Sequence, residues 1–504
     1  LYNPSTEEVV AEASTGGLDF AAAVSYARTD GVKSLQALTF AGRAEVLKRA
    51  AQVINDHRED LIKLGIINAG NTRSDAKFDI DGAAATLNFY AELAAKLGET
   101  RVLADGEGVA LGRSARLYGQ HVWTPRAGVA VHINAFNFPA WGMAEKLAVA
   151  IAAGMPVITK PATSTALMAH KLAELWVEAK VFPAGAFSFV CGGVGDLLSH
   201  LSGQDVLAFT GSGDTAHTLR RTENLARHNV HVNIEADSLN SSLLGPDAEE
   251  GTETLNMFLT DVAKEISQKS GQKCTAVRRI YVPAARVDAI RDSLVERLQA
   301  VRIGNPADDK VTMGPLATAN QLRDIRAGID RLEQTTELAM GGSKPVEGLA
   351  KGYFVAPTLF VHRKPRADPN DVVNAHEVFG PVATLMPYSS AAELVALVSA
   401  GGGGLVSSVY SDDKAFLAEV VSGIAPFHGR LTISGEKVAG QTISPGMALP
   451  GLLHGGPGRA GGGEELGGAR GMSLYMQRVA LQGPRPWVEQ FAGVKPAAPA
   501  STTP

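Results

Sequence analysis

The residue with most chemical promise is Cys274, one of only two cysteines in 504 residues. It closes the polar segment Gln268-Lys269-Ser270-Gly271-Gln272-Lys273-Cys274, ahead of the apolar run Ile280-Tyr281-Val282. A structural cysteine normally behaves as a small hydrophobe inside an apolar run. A thiol beside a glycine, an amide and a lysine is better placed to become a thiolate, the nucleophilic form. Cys191, in Phe187-Ser188-Phe189-Val190-Cys191-Gly192, reads as the structural kind. Taken alone, a free cysteine is more often buried than reactive. Glu235 ends the run Val230-His231-Val232-Asn233-Ile234 and reads by default as a solvated strand terminus. Asn137, ahead of Phe138-Pro139, reads as a turn residue. Whether these groups do chemistry depends on what brings them together.

The elements that would position them fall into zones. The first hundred residues carry amphipathic helical patterns such as Gly42 to Ile54, with apolar positions at three- and four-residue steps, which suits a packing layer. Two β-rich pieces, Arg116 to Trp123 and Gly128 to Ile133, flank Thr124-Pro125-Arg126-Ala127 and predict a hairpin or a pair of edge strands. Short apolar strands then alternate with helices. Val129 to Ile133, Pro156 to Thr159, Ala186 to Val190 and Val206 to Phe209 are separated by helical patterns over Gly142 to Ala153 and Ser164 to Ala179. That alternation marks βαβ units around a parallel sheet. A second α/β unit is expected after Glu235, with helices over Thr252 to Ser267 and Ala285 to Val301 and strands over Arg279 to Val282 and Leu405 to Tyr410. The glycine-rich stretch Gly451 to Gly471 is expected to be ordered but irregular, because the strand-like run Met472 to Leu481 follows it. The tail Lys495 to Ser501 reads as disordered.

Bulk composition narrows the class. At 45% hydrophobic and 20% charged, the chain suits a globular protein of two or three domains. A net charge of −5 without a basic face gives no reason to expect nucleic acid. Two distant cysteines argue for a reducing compartment. No apolar run reaches the ~18 residues of a membrane span, and no signal peptide is visible. A cytoplasmic location is expected.

Seven segments then occur in a telling order: Phe136-Asn137-Phe138-Pro139, Ile158-Thr159-Lys160-Pro161, Phe209-Thr210-Gly211-Ser212, Glu235, the Cys274 segment, Gly304-Asn305-Pro306 and Glu377-Val378-Phe379-Gly380-Pro381. Together with Asn3-Pro4-Ser5-Thr6 they resemble the aldehyde dehydrogenase superfamily, from the start of the chain to about Gln482. The resemblance implies an α/β fold with two doubly wound domains and a β-strand oligomerisation extension. The limits it suggests are 1–115 and 128–235 for cofactor binding, 236–471 for the nucleophile-bearing domain, 116–127 and 472–483 for oligomerisation strands, and 484–504 for a C-terminal tail. It also implies a reaction. An aldehyde gives up hydride only once its carbonyl carbon is tetrahedral, so Cys274 would add first to give a thiohemiacetal. Asn137 and the Cys274 backbone N–H would hold the oxyanion. Glu235 would activate the water that hydrolyses the acyl thioester, with its pKa raised toward neutrality by burial. Lys146 matches a lysine near the water path. No resident metal is implied.

The cofactor reading also follows from the resemblance. Gly211 and Ser212 become pyrophosphate contacts at a helix start, Gly193 an adenine-side contact and Lys160 a reach to the adenosine ribose. Glu377 would hold the nicotinamide ribose, with Phe379 beside the ring. Many relatives that prefer NAD carry glutamate at the position of Thr163. Its absence leaves Lys160 unopposed, so NADP is expected, with NAD possible.

Departures narrow the branch. Glu235-Ala236-Asp237-Ser238 replaces a glutamate followed by Leu-Gly-Gly, and the interval to Cys274 is a few residues longer than usual. With the Cys274 segment and the glycines near Gly455, this resembles the ring-cleavage branch of bacterial aromatic degradation through CoA thioesters. No hydratase-like domain follows Gln482, so the stand-alone type of that branch is expected, acting on a CoA-linked semialdehyde such as 3,4-didehydroadipyl-CoA semialdehyde. Rival readings are a CoA-acylating enzyme, opposed by the retained glutamate, a general aliphatic or aromatic aldehyde dehydrogenase, and a non-catalytic scaffold. A homodimer or tetramer assembled through the extension is expected.

Overall fold

The computed structural model describes residues 1–493 apart from 115 and 442. The expected disordered segment 495–501 lies outside the described residues. Two strands come first, β1 (Leu103–Ala110) and β2 (Leu117–Pro125). Five short ones follow: β3 (Ala130–Ile133), β4 (Val157–Lys160), β5 (Phe187–Phe189), β6 (Val206–Thr210) and β7 (His231–Glu235). Seven more are β8 (Asn240–Leu244), β9 (Val277–Pro283), β10 (Glu337–Met340), β11 (Thr358–Val361), β12 (Val382–Tyr388), β13 (Gly404–Tyr410) and β14 (His428–Ser434). The ribbon β15 (Leu453–Gly455) and β16 (Glu464–Leu466) precedes the last strand, β17 (Met476–Pro484).

The first sheet runs β5-β4-β3-β6-β7 and is parallel throughout. Its strands read as nearly unbroken apolar runs because helices cover both faces. Alternation sends Val131, Ile158 and Leu207 into one apolar cluster and Ala130, Val157 and Val206 into another. That second cluster also takes the apolar faces of the helices Phe40–Asp56, Arg73–Leu97 and Trp141–Ala153, so the amphipathic N-terminal region is a packing layer. The second sheet runs β10-β11-β12-β9-β8-β13-β14, parallel except where β10 meets β11. Ile280 and Val282 of β9 face one core and Tyr281 the other.

Several sequence expectations change. The pieces around Thr124–Ala127 do not form a hairpin. β2 pairs with β1 and β17 in a separate three-stranded sheet, while β3 is the centre of the five-stranded one. Turn-like residues there carry the chain between sheets, and the apolar run of β3 finds two parallel partners instead. Ahead of the expected limit at 115, Leu103–Ala110 is a strand paired with β2. The limit at 471 moves: Leu466, Met472 and Tyr475 are buried in the core of the five-stranded unit, and the strand begins only at Met476. Finally, Arg485–Ala492 is a helix rather than tail, burying Val488 and Ala492.

Strand order reverses between β3 and β6, which opens a crevice at their C-terminal ends. Asn137 follows β3, Thr210 ends β6 and Glu235 ends β7. From Glu235 the chain crosses into β8, whose neighbour β9 is preceded by Cys274. Asn240 ties the two, its Nδ2 donating to the carbonyls of Cys274 at 2.7 Å and Ala276 at 2.9 Å. Residues far apart in sequence thus meet across two adjacent strands.

Candidate active site

The Cys274 loop is held by unusual backbone. Lys269, Ser270 and Gly271 take left-handed φ values of 52°, 54° and 67° in succession. Only glycine fits at 271, where a Cβ would collide with the Gly380 carbonyl. Ser270 Oγ donates to the Gly314 carbonyl at 2.7 Å, and Gln272 Oε1 accepts from Ala317 N at 2.9 Å. These bonds turn both lysines away from the thiol. Lys273 Nζ pairs with Glu265 at 2.8 Å, and Lys269 Nζ bonds Asn71 Oδ1 at 3.2 Å over the Phe138 ring. The polar stretch therefore does not ease ionisation of Cys274, as its composition suggested. Burial pushes the thiol well above its ordinary range, and the Glu235 and Glu145 carboxylates push it further.

Cys274, Glu235, Asn137 and Lys146 line one narrow pocket of about 40 Å³ with Phe138, Trp141, Glu145 and His454. His454 and Glu145 were not anticipated. His454 Nε2 lies 3.1 Å from Glu235 Oε2 and 3.8 Å from Cys274 Sγ. Lys146 Nζ lies 3.0 Å from Glu465 Oε2 and 3.3 Å from Glu145 Oε1, and donates to Thr210 Oγ1 at 2.7 Å. The helix Trp141–Ala153 is buried almost all round, and Lys146 keeps its proton through these carboxylates. Burial alone would lower its pKa, but Glu465, Glu145 and Glu235 outweigh burial and raise it.

Glu235 reverses an expectation. Burial pulls its pKa upward, yet His454 first and Lys146 next outweigh that and hold the carboxyl at about 2. Burial would lower His454 in turn, and Glu235 raises it. Glu235 and His454 are thus an ion pair, although neither carboxylate oxygen receives a well-aligned hydrogen bond. Glu465 is the carboxyl that burial lifts, to about 7, against Lys146. In chemical terms the pocket offers a thiol, a carboxylate, an imidazole and an amide at one point, beside a buried ammonium. That set suits covalent addition to a carbonyl followed by water activation.

The residues expected to meet a dinucleotide are spread along the same crevice. Lys160 is buried, and among the described residues its ammonium donates only to the Pro161 carbonyl, at 3.3 Å, leaving donors for a ligand. Thr163 Oγ1 donates to the Gly192 carbonyl at 3.1 Å, and Gly193 beside it is exposed. Ser212 caps the helix Gly213–Arg220, accepting from Thr215 N at 3.3 Å, and Gly211 N donates to the Glu235 carbonyl at 3.2 Å. Gly213 N donates to Asp237 Oδ1 at 2.9 Å, so the replacement of the usual glycines puts a carboxylate at the helix start. Glu377 accepts from Ser238 N at 3.1 Å and from Arg278 Nε at 3.3 Å, and Phe379 packs edge-on to Phe136 with the Arg278 guanidinium 5.3 Å from its ring. Burial lifts Glu377 to about 7 despite Arg278. The unpaired Lys160 and the half-neutral Glu377 are groups that a ribose and an anionic phosphate would satisfy.

The sequence model of the Aldehyde dehydrogenase family matches residues 1–478. The chain belongs to the aldehyde dehydrogenase family. The dehydrogenase is 43% identical over 461 residues to a 3,4-dehydroadipyl-CoA semialdehyde dehydrogenase of Aromatoleum evansii, covering 91% of this chain and 89% of that protein. A hydroxyisobutyraldehyde dehydrogenase of Mycolicibacterium austroafricanum is 28% identical over 413 residues, 81% of this chain and 78% of its own. Among solved structures, the NAD+ complex of an aldehyde dehydrogenase from Bacillus cereus superposes with a TM-score of 0.81 at 26% identity, covering 96% of this chain and 92% of that one. A mutant aldehyde dehydrogenase of Pseudomonas syringae complexed with NAD+ and octanal gives 0.82 at 25%, covering 99% and 93%. The protein is therefore an NAD(P)-dependent oxidoreductase acting on an aldehyde. No helix among its described residues is long and apolar enough to cross a membrane.

Proposed function

We propose that this dehydrogenase oxidises a CoA-linked semialdehyde, of the 3,4-dehydroadipyl-CoA semialdehyde type, to the carboxylic acid, with NADP as the preferred acceptor in bacterial breakdown of aromatic acids. The observation that carries the reading is the convergence of Cys274, Glu235 and Asn137 on one pocket, in a chain 43% identical to a CoA-semialdehyde dehydrogenase. Cys274 adds to the aldehyde carbon as its proton passes to the Glu235 carboxylate, which hands it on to solvent before the acyl step. The oxyanion lies against Asn137 Nδ2 and the Cys274 N–H, donors worth about 3 kcal/mol each to the barrier. A bound nicotinamide would supply the hydride acceptor. Lys160, Thr163, Gly193, Gly211 and Ser212 line its adenosine and phosphate side, and Glu377 with Phe379 its nicotinamide ribose. Glu235 then takes a proton from water as that water attacks the thioester. Lys146 holds Glu465 and Glu145 beside it, keeping a charge-balanced path next to the base.

The pocket itself holds only the aldehyde end of so large a substrate, and the CoA moiety lies outside it. Thr163 supports NADP because no carboxylate there repels a 2′-phosphate near Lys160. Steady-state turnover with paired free and CoA-linked semialdehydes, each with NAD and NADP, tests both parts. A kcat/KM at least tenfold higher for the CoA-linked aldehyde and for NADP is expected. Equal rates with free aldehydes, or a strong NAD preference, overturn the corresponding half. Alkylating Cys274 with iodoacetamide is expected to abolish oxidation.

A further inference from the structure

Glu235, Cys274 and His454 present a carboxylate oxygen, a sulfur and a ring nitrogen that all lie within 4.8 Å of one another. They come from three separate elements, the end of β7, the loop before β9 and the middle of β15. The backbone of His454 pairs with that of Glu465 across the β15–β16 ribbon, which sets where the imidazole starts. Glu235 and His454 are 1% and 5% exposed, and both Glu235 oxygens are buried without a well-aligned donor. A tetrahedral zinc with bonds of 2.0–2.3 Å needs donor-to-donor separations of about 3.3–3.7 Å. The observed separations from His454 Nε2 are 3.1 Å to Glu235 and 3.8 Å to Cys274, within a small side-chain adjustment of that figure. Thiolate, imidazole and carboxylate are the ligand types that zinc takes from proteins.

We propose that Glu235, Cys274 and His454 form a reversible inhibitory site for a zinc-type divalent cation, with its fourth position open to the substrate pocket. The ion is a regulator here and not a resident cofactor. Coordination forms bonds to Cys274 Sγ, His454 Nε2 and one Glu235 oxygen, and releases the thiol proton and the imidazolium proton to solvent. The metal's two positive charges are then matched by the thiolate and the carboxylate. Lys146, Arg430 and Arg278 are nearby cations that oppose binding; the Lys146 ammonium is already paired with Glu465 at 3.0 Å and Glu145 at 3.3 Å, and Arg278 with Glu377 at 3.3 Å. A bound ion occupies the groups to which the proposed function gives nucleophile and base roles, so oxidation stops while it is bound. The inhibition rests on that reading, whereas the binding does not.

The test is equilibrium titration of the chelator-treated full chain with zinc chloride against a competing chelating dye, alongside iodoacetamide labelling of Cys274 read by mass spectrometry. One zinc per chain is expected, with parallel loss of Cys274 labelling and of cofactor reduction, both restored by EDTA. H454F is expected to weaken zinc at least tenfold, while its metal-free labelling of Cys274 reports an accessible, folded site. C191S should bind as the parent does. Cobalt(II) should give a thiolate-to-metal absorption band that C274S lacks. Zinc binding that leaves Cys274 labelling unchanged, an H454F affinity equal to the parent's, or a cobalt band surviving C274S each overturns the site. Protection of Cys274 by zinc in a protein that oxidises no aldehyde would keep the metal site and sink the proposed function instead.

Discussion

Two buried glutamates flank the catalytic crevice and end with opposite acidities. Glu235 sits 3.1 Å from an imidazole and near a buried ammonium, and its carboxyl falls to about 2. Glu377 has the Arg278 guanidinium at 3.3 Å and the Ser238 N–H at 3.1 Å, and burial carries it up to about 7 against both. Burial is common to both, so the partners decide the difference. On the Glu235 side the chain has assembled a fixed charge network. On the Glu377 side it has left a carboxyl that changes state near neutrality.

The strongest way to break this contrast is E235Q. Losing the carboxylate should cut steady-state turnover about 10³-fold while an initial burst of reduced cofactor remains. Normal turnover without a burst would take the base role from Glu235. E377Q should instead raise the cofactor KM about tenfold, the cost of a charge-assisted hydrogen bond, with kcat little changed. The parent's cofactor KM should also fall as pH rises through about 7, because the carboxyl accepts well only once ionised, and E377Q should flatten that dependence. A pH-independent KM in the parent contradicts the raised acidity constant. H454F sharpens the other side. Removing the imidazole removes the main influence lowering Glu235, so its carboxyl stays protonated to higher pH, and the acid limb of the kcat profile should move upward. An unmoved limb would show that Lys146 alone sets Glu235. The smallest effect is expected from R278M, which should raise Glu377 further and displace the KM inflection to higher pH without changing the kcat profile.

The sequence exposed some of this and hid the rest for physical reasons. The buried parallel strands read directly, since each is a short apolar run between helical patterns. Cys274, Glu235 and Asn137 stood at the ends of such runs, where the five-stranded unit and the start of β9 deliver them to one crevice. His454 and Glu465 could not be placed, because they arrive on a short antiparallel ribbon inside a glycine-rich stretch whose path depends on contacts with β7. A lone histidine among those glycines was the only available signal. The two lysines before Cys274 misled because left-handed backbone at Lys269 and Ser270 turns them toward Asn71 and Glu265. Thr124-Pro125 looked like a turn and proved to be a passage between sheets. The same partner effect reversed the expected acidity of Glu235, since burial could be anticipated from the sequence and His454 could not.

The pairing of β2 with β17 has a consequence for how the protein is made. These strands meet along nine residues, from Leu117 opposite Pro484 to Pro125 opposite Met476. Leu466, Met472, Tyr475 and Met476 are likewise the last pieces of a core whose other buried residues run from Leu35 to Val206. A ribosome must therefore finish nearly the whole polypeptide before the N-terminal unit can close, and until then one edge of β2 stands open. Contacts of such long range slow folding and leave a strand edge able to pair with the wrong partner. During synthesis the half of the molecule translated first is the half completed last.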